Sequence, residues 1–397
     1  MRICLASIHP RLLSGQIESL VALSNGLQAL GHTVQVVSAF PEHQLAHQRR
    51  WEIDRGDGLA LAPKVVRIGR IVGTIAAAAR HYDLLHFNVP TPAFSMLADL
   101  VQIAAARPMV VGFEAHLADV PGATRRLRQA PEFYLPRIIV NNGILSRLTM
   151  RRARAYVVSS QYQARELRSL GYLQRTVRVI PTLVDSSKLK RWPKDEARQV
   201  LGLPEGPLVA FVGHYHDVKG HDVLIEAFAR IHARVPAARL ALAWSGIGHD
   251  ARVDAAIQRL GIGAHVIKLG RVDVGQLFSA ADVVALPYRF TLGQAAYPGT
   301  VIEAMAVGVP LVTSDLPLLA ELSDQGKTML LARPGNVADL ADKTVRLLED
   351  SALAAQVVAA QRAAIEHRFD PSRLVAEYAA VYTAALGHAG LGVAAEP

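Results

Sequence analysis

The stretch Leu208-Val209-Ala210-Phe211-Val212-Gly213-His214-Tyr215-His216-Asp217-Val218-Lys219-Gly220-His221-Asp222 runs from an apolar segment into a glycine-bearing polar loop. An amphipathic helical pattern follows. Leu208–Val212 has no polar alternation, as expected of a strand covered on both faces of a parallel sheet. The same unit recurs outward in both directions. Toward the carboxyl end the predicted strands are Leu240–Trp244, His265–Leu269, Val283–Leu286, Leu311–Thr313 and Met329–Leu331. Toward the amino end they are Ile3–Ser7, Thr33–Ser38, Asp83–Phe87, Met109–Phe113, Ala155–Ser159 and Val177–Ile180, with Gln16–Leu30 the first helix. Strands alternating with helices imply parallel sheets with helices on both faces. The fold class is therefore α/β, with two doubly wound, Rossmann-like domains facing a central cleft.

The predicted boundaries are 1–187 for the first domain and 208–370 for the second. Residues 188–207 form the linker, because Lys188-Leu189-Lys190-Arg191-Trp192-Pro193-Lys194 and Leu203-Pro204-Glu205-Gly206-Pro207 are polar and proline-marked. The segment 371–397 carries a last helix, Pro371–Leu386, expected to pack back on the first domain.

Length and composition agree with this division. The 397 residues suit two domains of ordinary size. One cysteine, Cys4, excludes an internal disulfide framework and a cysteine-based zinc site, and its apolar setting marks it as a buried strand residue. No apolar run reaches the roughly 18 residues of a membrane span, and the amino terminus does not read as a secretory signal. The expectation is a cytoplasmic protein. Charge is uneven: residues 1–200 hold 27 Lys and Arg against 14 Asp and Glu, while 201–397 hold 16 against 20. The first half thus seeks an anionic partner. Arg125, Arg126, Arg128, Arg137, Arg147, Arg151, Arg152 and Arg154, partly interleaved with Ile138, Ile139, Val140, Ile144, Leu145 and Leu148, suit peripheral contact with the inner face of an anionic membrane. A solvated basic face and an anionic soluble acceptor are the alternatives. Nucleic acid is not expected, since no recognition motif accompanies the charge.

Ligands of open α/β sheets sit at the carboxyl ends of strands, so the strand-to-helix loops are where chemistry is sought. Lys219, beside Gly220 at a helix start, can present a point charge to a phosphate, or be a solvated loop lysine. Tyr297-Pro298-Gly299-Thr300-Val301-Ile302-Glu303 offers exposed backbone N–H groups at a helix start. There Glu303 either accepts from a ribose hydroxyl pair or only complements the helix dipole. Ser14-Gly15-Gln16 permits close backbone approach to a ligand. No Gly-x-x-x-x-Gly-Lys-Ser/Thr loop, Gly-x-Ser-x-Gly elbow, Asp-x-Asp pair or paired-histidine metal motif is present. No cofactor or metal is therefore expected.

These stretches, taken in order, resemble the family 4 glycosyltransferases of the GT-B fold. Tyr156-Val157-Val158-Ser159-Ser160, Val179-Ile180-Pro181-Thr182, Phe211-Val212-Gly213, Lys219-Gly220-His221-Asp222, Ser245-Gly246-Ile247-Gly248, Ala281-Asp282-Val283-Val284-Ala285-Leu286-Pro287 and Glu303-Ala304-Met305-Ala306-Val307-Gly308-Val309-Pro310 carry the likeness. The resemblance implies a retaining, metal-independent transfer from a nucleotide diphosphosugar, with UDP-sugars favoured. The donor is implied on the second domain and the acceptor on the first. The implied acceptor chemistry is cell-envelope polysaccharide, glycolipid or natural-product glycoside. Lys219 is implied to meet the donor diphosphate, with Gly15, His214, Gly246, Pro298, Gly299, Thr300, Val301 and Glu303 completing the donor site. Glu114 and His116 are implied near the reacting carbon, one of them touching the sugar or assisting acceptor deprotonation.

Two positions depart from the family pattern. His214 stands where an Arg usually pairs with the lysine, with Arg271 and Arg289 as candidate replacements. Ala295 stands where the first of two glutamates, eight positions before Glu303, usually faces the sugar, with Gln294 beside it. These departures keep open an alternative, a nucleotide-sugar-binding partner of another transferase; a different GT-B enzyme such as a sugar-nucleotide epimerase is a third reading.

Overall fold

The computed structural model describes residues 1–7, 15–38, 51–52, 64–89, 95–113, 153–169, 176–184, 191–215, 217–248, 250–289 and 297–387. The chain divides into two units, Met1–Leu183 with Pro371–Pro397, and Val184–Asp370.

The first unit runs β1 (Arg2–Ser7), α1 (Gly15–Ala29), β2 (Thr33–Ser38), β3 (Trp51–Glu52), α2 (Lys64–Ala79), β4 (Leu84–Val89), α3 (Ser95–Ala105), β5 (Met109–Phe113), β6 (Ala155–Val158), α4 (Gln161–Ser169) and β7 (Thr176–Val179). Its seven strands lie in the order β3-β2-β1-β4-β5-β6-β7, all parallel. Continuous apolar strands follow from burial on both faces: Cys4 and Ala6 enter the core shared with Ile75, Ala79 and Val101, whereas Ile3 and Leu5 enter the one shared with Leu20, Leu23 and Leu27. Burial pushes the Cys4 thiol up to about 12, so it stays a neutral packing group.

The second unit runs α5 (Lys194–Leu201), β8 (Leu208–Tyr215), α6 (His221–Arg234), β9 (Arg239–Gly248), α7 (Asp250–Leu260), β10 (Val266–Leu269), α8 (Val274–Ala280), β11 (Val283–Leu286), α9 (Gly299–Val307), β12 (Leu311–Ser314), α10 (Pro317–Leu322), β13 (Leu330–Ala332), α11 (Val337–Glu349) and α12 (Ser351–Arg368). Its strand order is β10-β9-β8-β11-β12-β13, again all parallel. From β8 the chain winds one way through β9 and β10, then returns to lay β11 on the other side of β8. That reversal leaves a crevice at the carboxyl ends of β8 and β11.

Several stretches differ from expectation. Residues 194–201, read as linker, form α5 and belong to the second unit. The Asp282 carboxylate holds them there: it accepts from Arg198 at 2.9 Å, from Lys194, and from the Leu208 backbone N–H at 2.8 Å. β8 and β9 also outrun their predicted ends, because after an irregularity at Gly213/Tyr215 the pairing resumes with Tyr215 opposite Gly248.

The last helix, α13 (Pro371–Ala385), follows the second unit in sequence and belongs to the first. Leu374, Val375, Val381 and Tyr382 are buried in the core that holds Ile3 and Leu5. Gly26 of α1 makes room for it, since a Cβ there would lie 2.4 Å from Val375 Cγ2. The Tyr382 hydroxyl bonds Nδ1 of the buried His86, whose pKa burial pulls down to about 4.

Candidate functional site

In the second unit, Lys219 and Glu303 sit on loops and helices that leave the β8/β11 crevice. β8 leads through a short 3-10 turn, Asp217–Lys219, into α6. Gly220 makes the bend between them with φ +67°, a left-handed conformation that favours glycine. β11 leads into Pro287-Tyr288-Arg289, which lies directly against that bend. The Arg289 N–H donates to the Val218 carbonyl at 3.0 Å. Arg289 also forms an ion pair with Asp222 of α6.

Lys219 is half-buried, and its ammonium lies 4.8 Å from the centre of the Tyr288 ring. Burial pulls its pKa from the ordinary 10.5 down to about 8, against the attraction of the Glu303 carboxylate. The buried Tyr288 hydroxyl is 2.8 Å from Thr300 Oγ1, in the first turn of α9. Burial also raises the Tyr288 pKa far above its usual range, so the hydroxyl remains protonated.

α9 starts behind Pro298, whose fixed φ (−58°) suits a helix entry. The preceding Tyr297 is buried and its hydroxyl donates to Glu321 Oε1 at 2.6 Å, fixing where the helix begins. The Val301 N–H donates to the Pro298 carbonyl at 2.9 Å. The first amides of a helix lack partners within it, so those of Gly299 and Thr300 are the ones placed to meet an anion. Glu303, half-buried, follows within the first turn and a half.

The structure therefore gathers Lys219, Thr300 and Glu303 through Tyr288 and the charge interaction of Lys219 with Glu303. His214 lies at the end of β8, half-buried, and Gly246 lies on β9. Gly15 is the first residue of α1, in the first unit. Of the two arginines considered beside His214, Arg289 is engaged with Asp222, and Arg271 is exposed just after β10. Glu114, His116, Gln294, Ala295 and the basic run 125–152 lie outside the described residues. Among the described residues no group of three or more His, Cys, Asp or Glu could hold a metal ion, and no helix is long and apolar enough to cross a membrane.

Sequence reasoning passed over Tyr288, the Asp222–Arg289 pair and the Tyr297–Glu321 bond. The available signal was position: Tyr288 and Arg289 follow a strand at the sheet's reversal with only Pro287 between, and Tyr297 directly precedes a Pro-Gly helix start.

Comparison with known proteins bears on both units. Residues 13–188 match the family described as Glycosyltransferase Family 4, and residues 206–350 the family described as Glycosyl transferases group 1. A D-inositol 3-phosphate glycosyltransferase of Nocardia farcinica is 34% identical over 207 residues, covering 49% of this chain and 45% of the relative. The match thus spans about half the length of that relative. A phosphatidyl-myo-inositol mannosyltransferase of Mycolicibacterium smegmatis is 29% identical over 318 residues, covering 79% of this chain and 73% of its own. Among solved structures, Anabaena Alr3699/HepE in complex with UDP-glucose superposes with a TM-score of 0.77 at 22% identity, covering 97% of this chain and 100% of that one. With one family match on each half, in order along a chain of GT-B fold, the protein belongs to the family 4 glycosyltransferases.

Proposed function

We propose that the protein is a retaining glycosyltransferase that moves a sugar from a nucleotide diphosphosugar, a UDP-sugar first, to an acceptor hydroxyl. The observation that carries this reading is the meeting of the Lys219 ammonium and the amino end of α9 on one residue, Tyr288, where the second sheet reverses. A half-buried cation beside a helix amino terminus suits a diphosphate, and Glu303 is placed to accept from ribose hydroxyls. In the reaction the bond between the anomeric carbon and the diphosphate oxygen breaks, and its electron pair stays on the diphosphate. Lys219 and the helix end stabilise that charge. The acceptor oxygen bonds the anomeric carbon on the same face while its proton passes to the departing phosphate oxygen. No metal is required in this scheme. The first unit takes the acceptor, with Glu114 or His116 near the reacting carbon and Gly15 approaching the donor diphosphate.

The UDP-glucose complex of the Anabaena neighbour supports a uridine donor. The names of the Nocardia and Mycolicibacterium relatives support an acceptor bearing an inositol phosphate, free or as a lipid headgroup. The basic first half suits either. The experiment is incubation of the full chain with UDP-, GDP- and ADP-sugars and candidate acceptors, following nucleoside diphosphate release. Lys219→Ala and Glu303→Ala are expected to abolish release, and unchanged release from both overturns the assignment.

His214 at the end of β8 favours a second reading, a donor-binding partner of another transferase, because a neutral imidazole stabilises a diphosphate less than a guanidinium does. Nucleotide binding without turnover, restored only by a second protein, would support it. Turnover by the protein alone eliminates it.

A further inference from the structure

We propose that Tyr288 is a positioning residue of the donor site: its ring face carries the Lys219 ammonium and its hydroxyl holds Thr300, setting the lysine and the amino end of α9 in register. The inference rests on the diphosphate-binding reading above and names what arranges that site.

Three observations support it. First, Tyr288 is held in place by the chain around it. It is buried, only Pro287 separates it from β11, and the next residue is pinned by its N–H to Val218 at 3.0 Å and by its ion pair to Asp222. Second, it touches both elements. Its ring lies 4.8 Å from Lys219 Nζ and its hydroxyl 2.8 Å from Thr300 Oγ1. The lysine loop and α9 are otherwise separated by 80 residues of chain.

Third, the chemistry of the contact suits a cation kept for a ligand. A carboxylate under Lys219 would neutralise it and compete with a diphosphate. An aromatic face attracts the ammonium through its quadrupole but brings no counter-charge. Lys219 also feels the charge of the Glu303 carboxylate on α9. The ring gives the ammonium a second, uncharged anchor.

The test is titration calorimetry of the full chain with UDP, GDP and ADP, using wild type, Tyr288→Phe, Tyr288→Leu, Lys219→Met and the double variant Tyr288→Leu/Lys219→Met. Tyr288→Leu is expected to weaken binding about tenfold, and Tyr288→Phe, which keeps the ring, to recover most of that loss. The double variant is expected to bind more weakly than Lys219→Met only by the small share that Tyr288→Phe loses, because the ring acts through the lysine and only the hydroxyl acts through Thr300. A merely structural tyrosine would instead give losses that add. Additive losses, or wild-type affinity in Tyr288→Leu, overturn the inference while leaving diphosphate binding in place. Failure of the wild type to bind any of the three nucleotides, or no effect of Lys219→Met, overturns the site reading itself and the inference with it. Should Tyr288→Leu melt early, Tyr288→Met, which fills similar volume without a π face, takes its place.

Discussion

Gly220 passes the Pro287 carbonyl so closely that a Cβ on it would lie 1.9 Å from the oxygen. That approach, at a residue with φ +67°, lets the lysine loop lie against the segment that follows β11. Gly220→Ala therefore meets a backbone atom and a left-handed conformation together. A stability loss of about 2 kcal/mol or more is expected in urea unfolding. Unchanged unfolding would show that the two segments can part without cost.

Lys219 supplies a pH signature. Its pKa of about 8 in the fold lies below its ordinary 10.5 because burial disfavours the ammonium. If UDP binds through this cation, as proposed above, its binding is expected to be strongest below pH 8 and to weaken as pH rises through it. Folding stability runs the other way. Between about pH 8 and 10.5 the unfolded chain holds the extra proton, so stability contributed by this group rises with pH across that window. Lys219→Met should flatten both profiles, measured by calorimetry and by unfolding over pH 7–11; slopes that survive would assign them to other groups.

Asp282 gathers Arg198, Lys194 and the Leu208 N–H on one carboxylate. Asp282→Ala is expected to cost about 2 kcal/mol, since it strands a charged donor and a backbone amide. Hydrogen exchange should quicken in α5 first. Slow exchange there with the carboxylate gone would assign the docking of α5 to its apolar contacts.

Gly26→Leu sets a branched side chain against Val375 Cγ2, where even a Cβ would lie at 2.4 Å. α13 is expected to lift from α1 at a cost of about 2 kcal/mol or more. Hydrogen exchange over residues 371–385 reads this directly, and protection equal to wild type would contradict it.

The sheets were legible because a strand covered on both faces is a continuous apolar run. Met109–Phe113 and Val283–Leu286 begin and end where the sequence puts them, and every residue in them is buried. Two-residue β3, at the sheet edge, is too short to leave such a run. α5 did carry helix signals: Pro193 at its start, Asp195 and Glu196 in the first turn, and Gly202 in a left-handed cap. Its polar surface outweighed them, because the force that docks it, Asp282, lies 84 residues from Arg198. Lys219 and Glu303 were legible as loop and helix-start residues of a recognised order. Tyr288 was not, because its role depends on a 69-residue jump to Lys219 that no local pattern records.

The return of α13 to the first unit has a consequence for synthesis on the ribosome. The second unit is one unbroken segment, complete once Asp370 has emerged. The first unit's strands are made earlier, yet the core around Ile3 and Leu5 lacks Leu374, Val375 and Tyr382 until the whole second unit has been translated. The half made first is thus the half closed last, and its uncovered apolar face is what a nascent chain must keep from aggregating while the rest is translated.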